Sequence, residues 1–282
     1  MPPRAPDARP PLKVALLGGG RIARLVLEES AAGRLPGIDI VALVGRRAES
    51  AAGEIARHYG LPYLVGIASL LQQRPHAVLE AASHEAVRAH LVPLLRAGIT
   101  VIVLSAGALA EAGLKAAAEA AAVAGGARLL VPSGGIGGLD ALNAACVAGV
   151  DEASIQVAKP PAAWKGIAYV ERLGLDLDRL EGPRVLFEGS AQEGVPHFPQ
   201  NVNIAAVLAL AGVGMERTRL RVLADPGLAF NTHTIRVSGS TGRFTVVLEN
   251  VATPDNPKTS WLACCSAVDA LRALGSAVRY GS

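Results

Sequence analysis

The chain has 282 residues, 51% of them apolar and 18% charged, with a formal net charge of +3. That balance belongs to a globular protein long enough for two domains, each with its own core, and it excludes disorder on a large scale. Lys and Arg are scattered, with no basic run of the kind that tracks a phosphate backbone, so nucleic acid is not an expected partner. The Pro-rich, charged stretch at 1–11 reads as a flexible tail and not as a signal peptide. No segment has the roughly 20 uninterrupted apolar residues of a membrane helix, and no membrane partner is expected. Cys146, Cys264 and Cys265 show neither metal-ligand spacing nor a disulfide framework. A reducing, cytoplasmic setting without a metal site is the expectation.

From residue 12 to 133, short apolar runs at 13–17, 38–44, 76–82, 100–105 and 128–132 alternate with helical patterns at 22–32, 49–59, 85–97 and 111–124. Strands apolar on both faces and separated by helices predict an α/β domain, a doubly wound parallel (Rossmann) sheet. The texture then changes, and 134–258 reads as a second, α+β domain. It holds helical patterns at 139–149 and 203–210 and strand-like runs at 153–159, 219–225, 231–239 and 243–250. The last three runs alternate apolar and polar residues, as half-buried antiparallel strands do. A final helical pattern at 260–274 is expected to bring 259–280 back to the first domain.

The first strand runs into Gly18, Gly20 and Ala23, a G-x-G-x-x-A turn at the start of a helix. Gly18 permits the tight turn, Gly20 lets backbone approach a pyrophosphate, and small Ala23 lets the helix pack close to the sheet. Arg21 and Ile22 open that helix, whose free N–H groups and dipole favour an anion. These positions predict dinucleotide binding. The second strand ends in Gly45, Arg46 and Arg47, where an NAD-selective site usually has an acidic residue for the ribose. Guanidinium groups there suit a 2′-phosphate and favour NADP over NAD; as solvated loop residues they would leave either cofactor acceptable. The run at 76–82 ends in small residues, Ala82 among them, which leave room for a nicotinamide ring. His84 just beyond it is either a ligand contact or a helix-start residue. Read alone, Lys159 at a strand end, Asn203 at a helix start and His233 within a strand are each ordinary structural residues.

Taken together, LLGGGRIA, VLEAASHEAV, VLSAGAL, SGGIGGLDAL, KPPAAW, VLFEGSA, FPQNVNIAA, LADP, NTHTI and NPKTS resemble the L-aspartate dehydrogenase family, in family order from residue 16 to 260. The resemblance implies reversible, NAD- or NADP-dependent oxidative deamination of L-aspartate to oxaloacetate and ammonia through iminoaspartate. It makes His233 the catalytic residue and places cofactor contacts at Gly135 and Asn203. The family more often has Ala where Gly135 stands, a swap that a backbone contact would survive. Lys159 and His84 are candidates for the substrate's carboxylates, and a homodimer is expected. The alternatives are another Rossmann-type dehydrogenase and a non-catalytic dinucleotide sensor.

Overall fold

The structure is a computed structural model that describes residues 10–198, 202–253 and 256–280, with only the backbone described for 256–259. Most of the tail expected at 1–11, and Asn201 in FPQNVN, lie outside the described residues. The chain divides into two compact units. One comprises residues up to 103, then 118–130, then the chain from 267; the other comprises 104–117 and 131–266.

The first unit is built on β1 (Leu12–Leu17), β2 (Ile38–Gly45), β3 (Tyr63–Val65), β4 (Ala77–Glu80), β5 (Thr100–Val103) and β6 (Leu129–Leu130). They pair in parallel in the order β3-β2-β1-β4-β5-β6. This is the doubly wound order, with its reversal between β1 and β4. The five expected strands are present, and β3 is a sixth. Its three residues are too short to show a period.

The crossovers are α1 (Arg21–Ala31), α2 (Ala51–His58), α3 (Ala68–Gln73), α4 (His84–Arg96) and α5 (Ala112–Gly125). Ser50 and Ser83 cap α2 and α4, accepting hydrogen bonds from Gly53 N and Ala86 N. From the end of the chain, Arg272 donates to the Arg34 carbonyl at 3.0 Å and to Glu29 at 3.2 Å, and Leu271 is fully buried.

The second unit contains α6 (Leu139–Ala148), β7 (Val150–Lys159), α7 (Ala168–Arg172), β8 (Arg184–Ser190), α8 (Ala191–Gly194), α9 (Asn203–Ala211), β9 (Thr218–Ala224), β10 (Asn231–Gly239), β11 (Gly242–Asn250) and the small β12–β13 pair (Ala252–Thr253 with Asn256–Ser260). The chain then enters α10 (Trp261–Gly275). The large sheet has the order β11-β10-β7-β9-β8. Pairing is antiparallel except between β7 and β9, which run parallel. The expectation that 219–225 would be antiparallel is therefore corrected with respect to β7. Alternation reports one covered face and says nothing of a neighbour's direction.

The inner face of this sheet carries the core. Ala153, Ile155 and Val157 of β7, Leu220 and Val222 of β9, and Ile235 and Val237 of β10 join Trp164, Phe198 and α9. Helix α9 (NIAAVLALA) is apolar nearly all round and buries six of its residues, as expected of a helix enclosed by protein.

Candidate functional site

In the first unit, the turn after β1 faces the loop after β4. Gly18 has φ +113, and a Cβ there would lie 2.7 Å from the Ala81 carbonyl oxygen and 3.0 Å from Ala82 Cα. Only glycine fits this position. Gly20, by contrast, has nothing among the described residues within 4 Å of where a Cβ would stand. Gly20 also begins α1 with no side-chain cap, so the N–H groups of the first turn, at Arg21 and Ile22, have no side-chain acceptor from the cap position. Open backbone, an uncapped helix start and the strand-order reversal fit a dinucleotide's pyrophosphate.

Arg21 forms a 3.2 Å ion pair with Glu28. Arg46 and Arg47 are exposed, and the Arg47 carbonyl accepts a hydrogen bond from the Tyr63 hydroxyl. Beside them is a cleft of about 680 Å³ lined by Ser50, Arg57 and Tyr63 but also by Glu49 and Glu54, so its charge is mixed.

Glu80 is the last residue of β4. It is buried, and its carboxylate accepts hydrogen bonds from Ala82 N (2.8 Å) and Ser83 N (3.0 Å), which holds the loop carrying Ala82. His84 is the first residue of α4 and half-buried; capping there belongs to Ser83.

In the second unit, the inner face of the sheet becomes polar at one end. His233 pairs with Val157 across β10–β7, and Lys159 is the last residue of β7. Lys159 is 3% exposed, with its ammonium 5.4 Å from the Trp164 ring centroid. A solvated turn lysine is thereby excluded. His233 is equally buried. Its Nδ1 lies 2.9 Å from the Gly135 carbonyl oxygen, which also accepts from Asn250 Nδ2 at 2.9 Å. Asn250 Nδ2 also lies 3.0 Å from Nδ1; with the proton on Nδ1 the carbonyl contact is a hydrogen bond, and Nε2 then carries the lone pair. Nε2 is buried and has no hydrogen-bond partner among the described residues.

Burial pushes the His233 pKa down to about 4; the Gly135 carbonyl opposes that shift, and the Lys159 ammonium adds to it. The unfolded chain therefore binds more protons than the folded chain as the pH falls below 6.5. Stability should be highest above that value and fall as the pH drops towards 4, by up to about 3 kcal/mol from this group alone. Urea denaturation of wild type and His233→Gln across pH 4–7 reads this directly. Parallel curves for the two proteins would refute it.

Gly135 and Asn203 are organised differently from simple caps. Asn203 follows Val202, the capping position of α9, and its Oδ1 accepts from Gly107 N at 3.2 Å, joining α9 to the 106–110 turn. A Cβ on Gly135 would stand 2.7 Å from Ser260 Oγ, so this glycine matches the present placement of Ser260. Asn231, Asn250 and Ser260 are buried polar residues of the second unit that the sequence reading passed over. A polar residue at an inward-facing strand position was the available signal at Asn231, which shares parity with His233, Ile235 and Val237.

Comparison with known proteins agrees with these features. The family model described as "Aspartate dehydrogenase, C-terminal" matches residues 140–274, and "Homoserine dehydrogenase, NAD binding domain" matches 18–132. L-aspartate dehydrogenase 2 of Bordetella bronchiseptica is 43% identical over 265 residues, covering 92% of this chain and 96% of the relative. L-aspartate dehydrogenase of Methanosarcina acetivorans is 44% identical over 205 residues, 73% of this chain and 76% of the relative. The solved structure of aspartate dehydrogenase from Thermotoga maritima superposes with a TM-score of 0.76 at 28% identity, covering 96% of this chain and 99% of that one. With the Gly18 turn on a doubly wound sheet and a buried His233 on the second sheet, the chain belongs to the L-aspartate dehydrogenase family.

Proposed function

We propose that the protein is an L-aspartate dehydrogenase, an NAD(P)-dependent oxidoreductase that interconverts L-aspartate with oxaloacetate and ammonia. The observation that carries this reading is His233, whose Nδ1 meets the Gly135 carbonyl and whose Nε2 is buried with no hydrogen-bond partner among the described residues. A bound nicotinamide cofactor would supply the hydride acceptor for oxidation of the aspartate α-carbon to the imine. Gly18, Gly20, Arg21, Ile22 and Ala82 would hold the dinucleotide, together with Gly135 and Asn203.

His233 Nε2 accepts a proton from the water that adds to the imine carbon. It returns a proton to the nitrogen, so that the carbon–nitrogen bond breaks and ammonia leaves. Lys159 and His84 take the substrate's carboxylates. Burial is the main cause of the low His233 pKa and the Lys159 ammonium a smaller one; a carboxylate on Lys159 offsets that smaller part and raises the basicity of Nε2 to that extent.

An absorbance assay of NAD(P)H oxidation with ammonia and a panel of 2-oxo acids tests the activity. Oxaloacetate should be the best substrate by kcat/KM; a monocarboxylate used equally well would overturn the reading.

NADP is the favoured cofactor, on the strength of the exposed guanidinium groups of Arg46 and Arg47. Arg46→Ala should weaken NADP binding about 5- to 20-fold, in line with one charge-assisted hydrogen bond, while NAD binding changes little. Fluorescence titration with both reduced cofactors measures this, and equal losses would remove the basis for the preference. The assembly is a homodimer in this reading. Light scattering checks it, and a monomer at micromolar concentration would refute it.

A further inference from the structure

We propose that Asn231 is a substrate-binding residue whose side-chain amide donates a hydrogen bond to a carboxylate of the dicarboxylate substrate beside His233. This rests on the function proposed above and gives a role to Asn231, which opens the NTHTI motif but carried no role there.

Asn231 opens β10, two residues before His233, and so shares its face of the strand. Along that face Val237 and Ile235 continue the apolar core, and His233 and Asn231 end it. The antiparallel pairing of β10 with β7 places Thr232 beside Ala158, next to Lys159 at the strand's end. Asn231 thus stands at the same polar end of the sheet as the buried ammonium and the buried imidazole.

Its neighbours on this face already have work. Asn250, opposite Asn231 on β11, donates to the Gly135 carbonyl, and Ser260 Oγ accepts from Ala263 N. Asn231 differs. The residue is 4% exposed, and its Nδ2 has less than 1 Å² open to solvent and no hydrogen-bond partner among the described residues. Buried amide donors are almost always satisfied, and bulk water cannot serve one that is sealed off. The side-chain atoms in this condition on β10 are Asn231 Nδ2, a donor, and His233 Nε2, an acceptor. They complement the two parts of the substrate: a carboxylate that needs donors, and a reacting centre that needs a base. Lys159 supplies charge to the same carboxylate chemistry, and the neutral amide supplies direction.

Asn231→Leu removes the donor while keeping a branched apolar side chain of similar size in the buried position. It should raise the KM for oxaloacetate about 10- to 100-fold, the worth of a hydrogen bond to a charged group. The Ki of succinate, a dicarboxylate that is not turned over, should rise in parallel. The kcat and the Kd for NAD(P)H should stay within about threefold of wild type. Asn231→Asp keeps an acceptor and loses the donor, so it should bind succinate more weakly still.

Calorimetric titration of succinate into wild type and Asn231→Leu reads binding without turnover, with thermal melting as the folding check and Asn231→Ala as the smaller variant if Leu does not fold. Unchanged KM and Ki, a loss that falls on NAD(P)H, or full activity in Asn231→Asp would each overturn the assignment. A wild-type protein that fails to use oxaloacetate would instead strike the proposed function itself.

Discussion

Replacing His233 with Ala is expected to lower kcat by about 10²–10⁴-fold, the usual contribution of general acid–base catalysis, with NAD(P)H binding nearly unchanged. The other histidines are placed for different work. His76 Nδ1 accepts a hydrogen bond from Lys13 N at 2.9 Å. His197 stacks on Tyr169 with ring centroids 4.3 Å apart, and His58 meets Tyr59 edge-on. His90 lies on the α4 helix, and burial lowers its pKa.

His233 differs because one ring nitrogen is held by a main-chain carbonyl and the other is buried without a partner among the described residues. With the proton on Nδ1, that burial keeps the basic Nε2 away from water that would compete for its lone pair. Steady-state rates with oxaloacetate and ammonia, beside a fluorescence titration of NAD(P)H, separate chemistry from binding. A fall in kcat of less than about threefold in a fully folded variant would remove His233 from the chemistry, and His84 and His197 would then be tested first.

The Gly18→Ala variant should lose cofactor affinity by about 10- to 100-fold and stability by about 1–3 kcal/mol, the range for a residue forced into a sparsely populated backbone region. The two losses share a cause. At φ +113 the new Cβ is strained in itself, and it presses on the Ala81 carbonyl at 2.7 Å. Relief requires the loops after β1 and β4 to separate, and these loops flank the strand-order reversal where a dinucleotide binds.

Gly20→Ala is the companion measurement. With none of the described residues within 4 Å of its Cβ, it should leave stability within about 0.5 kcal/mol of wild type, as surface changes usually do. It should still weaken the cofactor, because the methyl group fills space a phosphate would use. Urea denaturation and NAD(P)H titration on both variants read the pair. Cofactor affinity unchanged in Gly18→Ala would show that this turn does not form the dinucleotide site.

The sequence by itself determined what depends on local pattern. Alternating apolar runs and helical periods placed the parallel sheet, and the strand–turn–helix setting of Gly18, Gly20 and Ala23 located the anion-binding turn, because such signals lie within about 20 neighbouring residues. The resemblance carried by KPPAAW, FPQNVNIAA and NPKTS then reached His233, which composition and spacing alone left as an ordinary strand histidine.

Tertiary structure decided the rest. Strand β3 was too short to show a period, and the parallel direction of β9 beside β7 depends on chain tracing and leaves no mark in the alternation. Nothing local in the run at 76–82 marks Glu80, whose carboxylate meets the N–H groups of Ala82 and Ser83 only in the folded chain. Lys159 read alone was an ordinary residue at a strand end; the fold buries it against Trp164. The chemistry of His233 rests on the Gly135 carbonyl 98 residues away and on Asn250 across a hairpin. Burial, the identity of a hydrogen-bond partner and a displaced pKa are properties of groups brought together from distant parts of the chain, so they exist only once the chain has folded.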